Sequence, residues 1–428
     1  MHHGNAAQLL FTKGDVNTRI KQLITMETTR QAEYNDFIFR PREELSQHGI
    51  LGILESQYDI EISKCTVENI PKQLLKGDSA DLLITTRDST GKQVIPKQQV
   101  KAKVRKPDAS WEDINVADNR DGTHNARVRG QVDGQYQVTM TIGNQPMPGC
   151  PVIIPVIKGL LIGSQGSAEG YFNNPFSVAI NKDRGIVTAD RDNNRLQITT
   201  RRGKVKKSLA FKQFKKPFKP SAIAVSSDNT YYNLDTGNKQ VVVSGEKGHV
   251  IRCFGQNELN DPYSIGISPV DGHVYVTDYG GKCVRVYSQH GKYLKSFGSY
   301  GKGQGRLNCP WGVVISSNGT VFIADYYDQC IQVFNAHDQY LYSFDCQTGD
   351  CKRRHPTGIA IENDKYVYVT TNFPSSLLKF ESSGRFVCRI DSDSDGLNCP
   401  SGIALTDDVP CRVVVADTKN HCIKVFVQ

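Results

Sequence analysis

Residues 310–334 read PWGVVISSNGTVFIADYYDQCIQVF, and that one stretch holds three short runs of β type. Pro310-Trp-Gly-Val-Val-Ile opens it, a second run closes on Asp325, and Cys330-Ile-Gln-Val-Phe ends it. Runs of four to eight β-branched and aromatic residues bounded by turn residues read as strands. Working outward, the same opening recurs as Pro175-Phe-Ser-Val-Ala-Ile, Pro220-Ser-Ala-Ile-Ala-Val, Pro262-Tyr-Ser-Ile-Gly-Ile, Pro356-Thr-Gly-Ile-Ala-Ile and Pro400-Ser-Gly-Ile-Ala-Leu. Successive prolines lie 45, 42, 48, 46 and 44 residues apart. A second mark follows each proline at near-constant distance: Asp190, Asp235, Asp278, Asp325, Thr371 and Asp417. A fourth run ends near Phe-Gly, as at Phe254-Gly255 and Phe297-Gly298. Six units of four strands cannot bury their faces singly but can do so arranged radially, which predicts a six-bladed β-propeller. The last unit reaches Gln428 with three strands, and Gly159-Leu-Leu-Ile-Gly163 is the natural fourth, which would join both ends of the ring and leave no open seam.

The order of a Gly-rich lead, Pro, Gly-Val-Ala-Ile-like run, Val-Ala-Asp, Asn-x-Arg, strand and Phe-Gly resembles the NHL repeat. Residues 163–195 carry it nearly whole, ending Ala189-Asp-Arg-Asp-Asn-Asn-Arg195, and the unit opening Gly301-Lys-Gly-Gln-Gly-Arg-Leu-Asn-Cys-Pro310 matches too. The resemblance covers residues 158–428. An arginine five residues after the repeat aspartate is usual in that family, and only Arg195 keeps it; Gln240, Cys283, Cys330, Ser376 and Cys422 stand in the other units. Function that depends on those arginines is therefore not expected to carry over to every unit.

Residues 58–157 hold about seven short β runs separated by polar turns, the pattern of a sandwich. Asp118-Asn-Arg-Asp-Gly-Thr-His, Gly134-Gln-Tyr-Gln-Val and Gly149-Cys-Pro-Val-Ile-Ile resemble the filamin-type immunoglobulin-like repeat. Residues 1–57 are read as a short, partly helical segment: Leu9, Val16 and Leu23 have heptad spacing, which is either the end of a coiled coil or a linker. A filamin-type sandwich followed by an NHL propeller resembles the C-terminal half of the tripartite-motif NHL family. Members carry RING and B-box zinc modules and a coiled coil upstream; here the first cysteine is Cys65, so ubiquitin-ligase activity is expected only if a RING lies outside these residues.

Nothing in the sequence points to catalysis. No GxSxG elbow, P-loop or HExxH occurs, the propeller histidines fall at unrelated repeat positions, and Asp391-Ser-Asp-Ser-Asp-Gly lacks the bidentate Glu of a calcium loop. No cofactor and no metal are expected. The twelve cysteines form no CxxC pair; Cys283, Cys330 and Cys422 share a repeat position, which suits reduced thiols acting as small apolar groups. No run of about 20 apolar residues exists, so no membrane association is expected. The first 14 residues lack a secretory pattern, which for a complete chain implies a cytoplasmic protein.

The net charge of +8 lies in residues 158–428, where 33 Lys and Arg face 25 Asp and Glu. Residues 201–220, RRGKVKKSLAFKQFKKPFKP, hold nine basic residues and no acid, with Phe211, Phe214 and Phe218 interleaved. Because strands alternate in direction, loops joining second to third strands share an end with loops entering the next blade. Candidate nucleic-acid contacts on that basis are Arg191, Arg195, Lys239, Lys282 and Lys419 of the first kind of loop. Lys212, Lys215, Lys216, Lys219, Lys302, Arg306, Arg353 and Arg354 belong to the second, and Arg201 and Arg202 open the basic run. A rigid basic face can hold a phosphate backbone, and the family resemblance implies RNA hairpin or single-strand binding there. The other reading is a protein scaffold, with partners on the propeller face and on an edge of the sandwich. The chain alone is expected to be monomeric; a coiled coil upstream would make the full-length protein an oligomer.

Overall fold

The computed structural model describes residues 37–41, 52–56, 58–301, 303–348 and 353–427, and almost every regular element is a strand. The chain divides into two compact units, Met1–Lys158 and Gly159–Gln428. The heptad pattern of residues 1–36 lies outside the described residues. Within the segment expected to be partly helical, the described residues form a strand pair, Phe37–Pro41 antiparallel to Gly52–Ser56.

Alternation decides the first unit. Val100–Arg105 buries every other residue, and Gly134–Ile142 does the same over nine residues. One apolar face per strand drives two sheets together. One sheet orders Thr66–Glu68, Ser79–Thr85, Thr123–Arg129 and Val116–Asp118; the other runs from Leu74–Leu75 through Val152–Ile157, Gly134–Ile142 and Val100–Arg105 to Trp111–Ile114. Leu82, Ile84, Ala126, Val138, Met140 and Ile154 meet between them, each fully buried. The buried Tyr136 turns its hydroxyl back to accept the backbone N–H groups of Gln131 and Val132 at 3.1 and 3.0 Å.

The second unit consists, among the described residues, of six four-stranded antiparallel sheets. Blades 1 to 5 span residues 175–209, 220–254, 262–297, 310–345 and 355–389. Blade 6 takes three strands from residues 400–427, and its fourth is Gly159–Ile162, which pairs with the last strand in the register Gly159↔Phe426 to Ile162↔Ile423. Each blade's first strand, which carries the repeat proline, touches the first strand of the next, and blade 6 touches blade 1, so the ring is closed. Second strands such as Ile186–Asp190, Val274–Asp278 and Val321–Asp325 are buried throughout, as the middle layer of a blade must be.

In blades 5 and 6 the second residue after the repeat proline is glycine, and no side chain fits there. A Cβ on Gly358 would overlap the Ser401 carbonyl oxygen, and one on Gly402 would overlap the backbone of Ser177. Both neighbours are backbone of the next blade, which cannot yield without opening the seam. Gly358→Ala is therefore expected to destabilise the fold by about 3 kcal/mol, at the upper end of overpacking costs, read as a lowered midpoint in thermal or urea unfolding of the whole chain. An unchanged midpoint would mean that the blades are not packed at this distance.

Candidate nucleic-acid interface

The repeat aspartates show how the loop-bearing face is built. Asp190, Asp235, Asp278, Asp325 and Asp417 are all fully buried at the ends of second strands. Each accepts backbone N–H groups from the loop entering its own blade: Asn173 at 2.7 Å on Asp190, Lys219 at 3.0 Å on Asp235, Asp261 at 2.8 Å on Asp278, Asn308 and Cys309 at 2.8 Å on Asp325, and Asn398 at 2.8 Å on Asp417. The same carboxylates hold the loop between second and third strands, through Asn193 and Asn238 side-chain amides and the Gly281 and Asp328 backbone. Two loops of each such blade are thus tied at one buried anion.

That anion needs compensation. Arg195 donates to Asp190 at 2.8 Å and to the Ala168 and Tyr171 carbonyls, with its side chain 12% exposed. In blades 3 and 6 the cation comes from two residues further along the third strand, Arg285 on Asp278 at 2.8 Å and Lys424 on Asp417 at 2.7 Å. Asp235 and Asp325 have no cation in the ion pairs of the described residues; burial pushes the Asp325 carboxyl above its ordinary range. In blade 5 Thr371 replaces the carboxylate and donates to the Pro374 carbonyl at 3.1 Å. The arginine position read as a possible ligand contact is therefore occupied, in blade 1, by an internal counter-ion.

The candidate cations fall into three groups. Lys212, Lys215, Lys216, Lys239, Arg306, Arg353 and Lys419 are exposed on loops of the one face. Arg191, Lys219 and Lys282 are half-buried there; the Arg191 guanidinium lies 4.8 Å over the Phe176 ring, and Lys282 Nζ lies 3.5 Å from the Tyr279 ring while donating to the Asn308 carbonyl. Arg354 is buried at 4% exposure. Lys302 lies outside the described residues.

Arg201 and Arg202 correct the sequence reading. They occupy the turn between Arg195–Thr199 and Val205–Leu209, and in an antiparallel blade that turn is at the opposite end from the loops just described. Arg201 pairs there with Asp407 and Asp408 of blade 6, beside Arg184 on Asp407 at 2.9 Å. The basic run therefore divides between two faces. Its phenylalanines divide as well: Phe211 and Phe218 are core, packed edge to face at 4.7 Å, and Phe214 leans on them. In the acidic sector at blade 6, Arg389 pairs with Asp391 and Asp393 at 2.6 and 2.7 Å, and Asp395 accepts from the Ser392 backbone N–H at 2.7 Å.

The sequence reading passed over a different set of aromatics on this face. Phe176, Tyr263 and Trp311 each follow a repeat proline, and Tyr279 and Tyr326 each follow a repeat aspartate. Trp311 lies 4.3 Å from Tyr263, 4.9 Å from Tyr326 and 6.2 Å from Phe176, centroid to centroid. Their shared offset from the two repeat marks was the available signal.

The family comparisons agree with both units. Residues 58–153 match the filamin/ABP280 repeat, and residues 307–334 and 397–426 match the NHL repeat. The TRIM71 E3 ubiquitin-protein ligase of Bos taurus is 26% identical over 212 residues, 46% of this chain and 24% of that protein. These matches make the chain similar to tripartite-motif NHL proteins across its filamin-type and NHL-repeat regions. Human TRIM32, also named an E3 ubiquitin-protein ligase, is 25% identical over 290 residues, 62% of this chain and 43% of its own length; Caenorhabditis elegans lin-41 is 25% identical over 123 residues, 26% of this chain and 11% of its own length. The match thus spans about a quarter of the length of TRIM71. Among solved structures, a Bacteroides thetaiotaomicron protein of unknown function superposes with a TM-score of 0.51 at 14% identity over 87% of this chain and all of its own, a likeness of fold. No helix among the described residues is long and apolar enough to cross a membrane.

The two kinds of repeat aspartate should respond differently to neutralisation. Asp190→Asn leaves Arg195 unpaired and should cost about 3 kcal/mol, whereas Asp325→Asn removes no charge partner and should cost about 1 kcal/mol or less. The raised carboxyl of Asp325 makes its protonated form the one favoured by folding, so its contribution is complete below about pH 4, the unfolded value, and is lost as pH rises through the folded value. The stability gap between the parent and Asp325→Asn should therefore shift in the parent's favour as pH falls. Urea unfolding between pH 4 and 7 measures both, and equal costs for the two variants would show that Arg195 does not compensate Asp190.

Proposed function

We propose that this chain is a non-catalytic binding module whose propeller holds RNA on the face bearing the second-to-third-strand loops and the blade entries, in post-transcriptional regulation. The observation that carries the reading is the set of exposed lysines at the entry to blade 2, Lys212, Lys215 and Lys216, with Lys239 on the neighbouring loop, none of them in an ion pair among the described residues. Other basic side chains of the propeller are engaged, as with Arg195, Arg201, Arg285 and Arg389. Uncompensated cations on a rigid scaffold attract a polyanion through release of its counter-ions. Arg306, Arg353 and Lys419 extend the basic rim, and Arg191 and Lys282 carry charge towards the centre.

A second reading has one observation in its favour. The sandwich has an open edge at Trp111–Ile114, where Trp111 is 57% exposed, and a partner strand could add there. In that role the chain recruits proteins, as the substrate-binding part of a ligase whose RING lies elsewhere. Both readings place it in the cytoplasm, with no cofactor, and as a monomer unless an upstream coiled coil assembles it.

Binding of the full chain to a pool of RNA hairpins and single strands at two salt concentrations tests the first reading. Saturable binding should weaken log-linearly with salt. Lys212→Glu, Lys215→Glu and Lys216→Glu together should lower affinity roughly 30-fold or more and reduce the salt slope by about 2–3, with unchanged thermal unfolding. A variant that bound as tightly, with the same slope, would remove this face from consideration.

A further inference from the structure

The outward face of the sandwich carries side chains that strand addition at its edge would not engage. Along Val100–Arg105, Lys101, Lys103 and Arg105 point away from the core that Ala102 and Val104 join. The neighbouring strand Trp111–Ile114 supplies acids to two cations of this hairpin: Asp113 lies opposite Lys103 and pairs with it at 3.4 Å, and Glu112 pairs with Lys106. Opposite Arg105 the register places Trp111 instead. Arg105 is exposed and has no ion pair or side-chain hydrogen bond among the described residues.

The strands on the other side continue the row. Gln137 lies opposite Arg105, and Ile153 opposite Gln137, so Trp111, Arg105, Gln137 and Ile153 stand abreast on one face across four strands. The two ends of the row are apolar and open to water, Trp111 at 57% exposure and Ile153 at 43%. Its middle is polar: Gln135 and Gln137 join Arg105, Lys106 and Pro107 in lining one depression. Gly134 lets the wall of that depression form, since a Cβ there would meet the Pro107 ring at 2.6 Å. Neither glutamine side chain has a hydrogen-bond partner among the described residues.

The chemistry of the row selects the ligand. Guanidinium and amide groups without internal partners suit a carboxylate, which accepts two parallel bonds from an arginine. The nearby acids are already held, Asp113 and Glu112 by lysines and Asp108 by Ser110. Spacing then gives the form of the ligand. Neighbouring strands lie about 4.8 Å apart, so the row from Trp111 to Ile153 spans about 14 Å. An extended peptide rises about 3.4 Å per residue and turns alternate side chains to one side. Laid across the strands, it meets Trp111 with one residue and Ile153 with the fourth residue after it. The residue midway falls about 7 Å along, between Arg105 and Gln137.

We propose that this face docks an extended protein segment of the pattern apolar-x-acidic-x-apolar, with its carboxylate on Arg105 and Gln137 and its apolar side chains on Trp111 and Ile153. The segment crosses the strands rather than lengthening the sheet, and the proposal does not rest on the RNA reading.

The test is binding of the full chain to a fluorescein-labelled peptide, Ser-Leu-Thr-Glu-Thr-Leu-Ser capped at both ends, read by anisotropy. Replacing the peptide's glutamate by glutamine should weaken binding about 10-fold, through loss of one charge-assisted pair. Arg105→Gln should weaken the glutamate peptide by a similar factor and leave the glutamine peptide unchanged, so that the two losses are not additive. Trp111→Ala should weaken both peptides alike, with thermal unfolding confirming that the variant is folded. Methylating alternate backbone nitrogens of the peptide removes the donors that strand addition needs and should leave affinity within about twofold. Absence of saturation at roughly millimolar peptide overturns the proposal, as does binding indifferent to Arg105→Gln. Binding abolished by the methylated backbone and indifferent to Arg105→Gln overturns it in favour of the sheet edge.

Discussion

A carboxylate removed from water has to be satisfied on every side, and in five of the six blades one such group sets the geometry of the presenting face. Asp190, Asp235, Asp278, Asp325 and Asp417 are completely buried, and each gathers N–H donors from the loop that enters its blade and from the loop that joins its second and third strands. Buried charge is tolerated only where such donors or a counter-ion are supplied, so the aspartate, its loops and its cation behave as one unit. Loops fixed in this way can hold side chains at constant positions around the rim without helices or disulfides to brace them.

This constraint changes the meaning of the basic residues. Arg195, Arg285 and Lys424 come from different positions of the third strand, yet all three neutralise a repeat aspartate. The absence of arginine at the position occupied by Cys283 and Cys422 is thus compensated two residues later, and burial raises the thiols there, Cys422 to about 12, so that they pack as small apolar groups. Cations without such a task include Lys212, Lys215 and Lys216 at the entry to blade 2. Charge at the rim can therefore be altered without unpairing an interior aspartate.

The two units solve the problem of sheet edges differently. The propeller joins its ends through Gly159–Ile162 against the last strand, which removes the seam where blades would open. The sandwich keeps an open edge at Trp111–Ile114, tempered by Glu112 and Asp113, which pair with Lys106 and Lys103. A closed ring presents loops, and an open sandwich presents backbone, so the two units suit different kinds of partner.

The repeating order, the blade number, the closing strand and the sandwich were legible in the sequence because each rests on local signals: alternation of period two, the proline that opens a first strand, the aspartate that ends a second, and the turns between them. The direction of the loops followed from strand alternation alone, which is why most of the candidate cations surface together. Tertiary structure decided which of those cations are free. Arg201 meets Asp407 and Asp408 more than two hundred residues away, and Arg195 closes on an aspartate whose burial no local pattern reveals. It also decided the aromatic centre, because Phe176 and Trp311 lie 135 residues apart in the chain and approach each other only when six blades close around an axis. A one-dimensional repeat specifies each blade in turn, but contact across the ring depends on its closure, and the pairing of charges depends on which groups that closure buries.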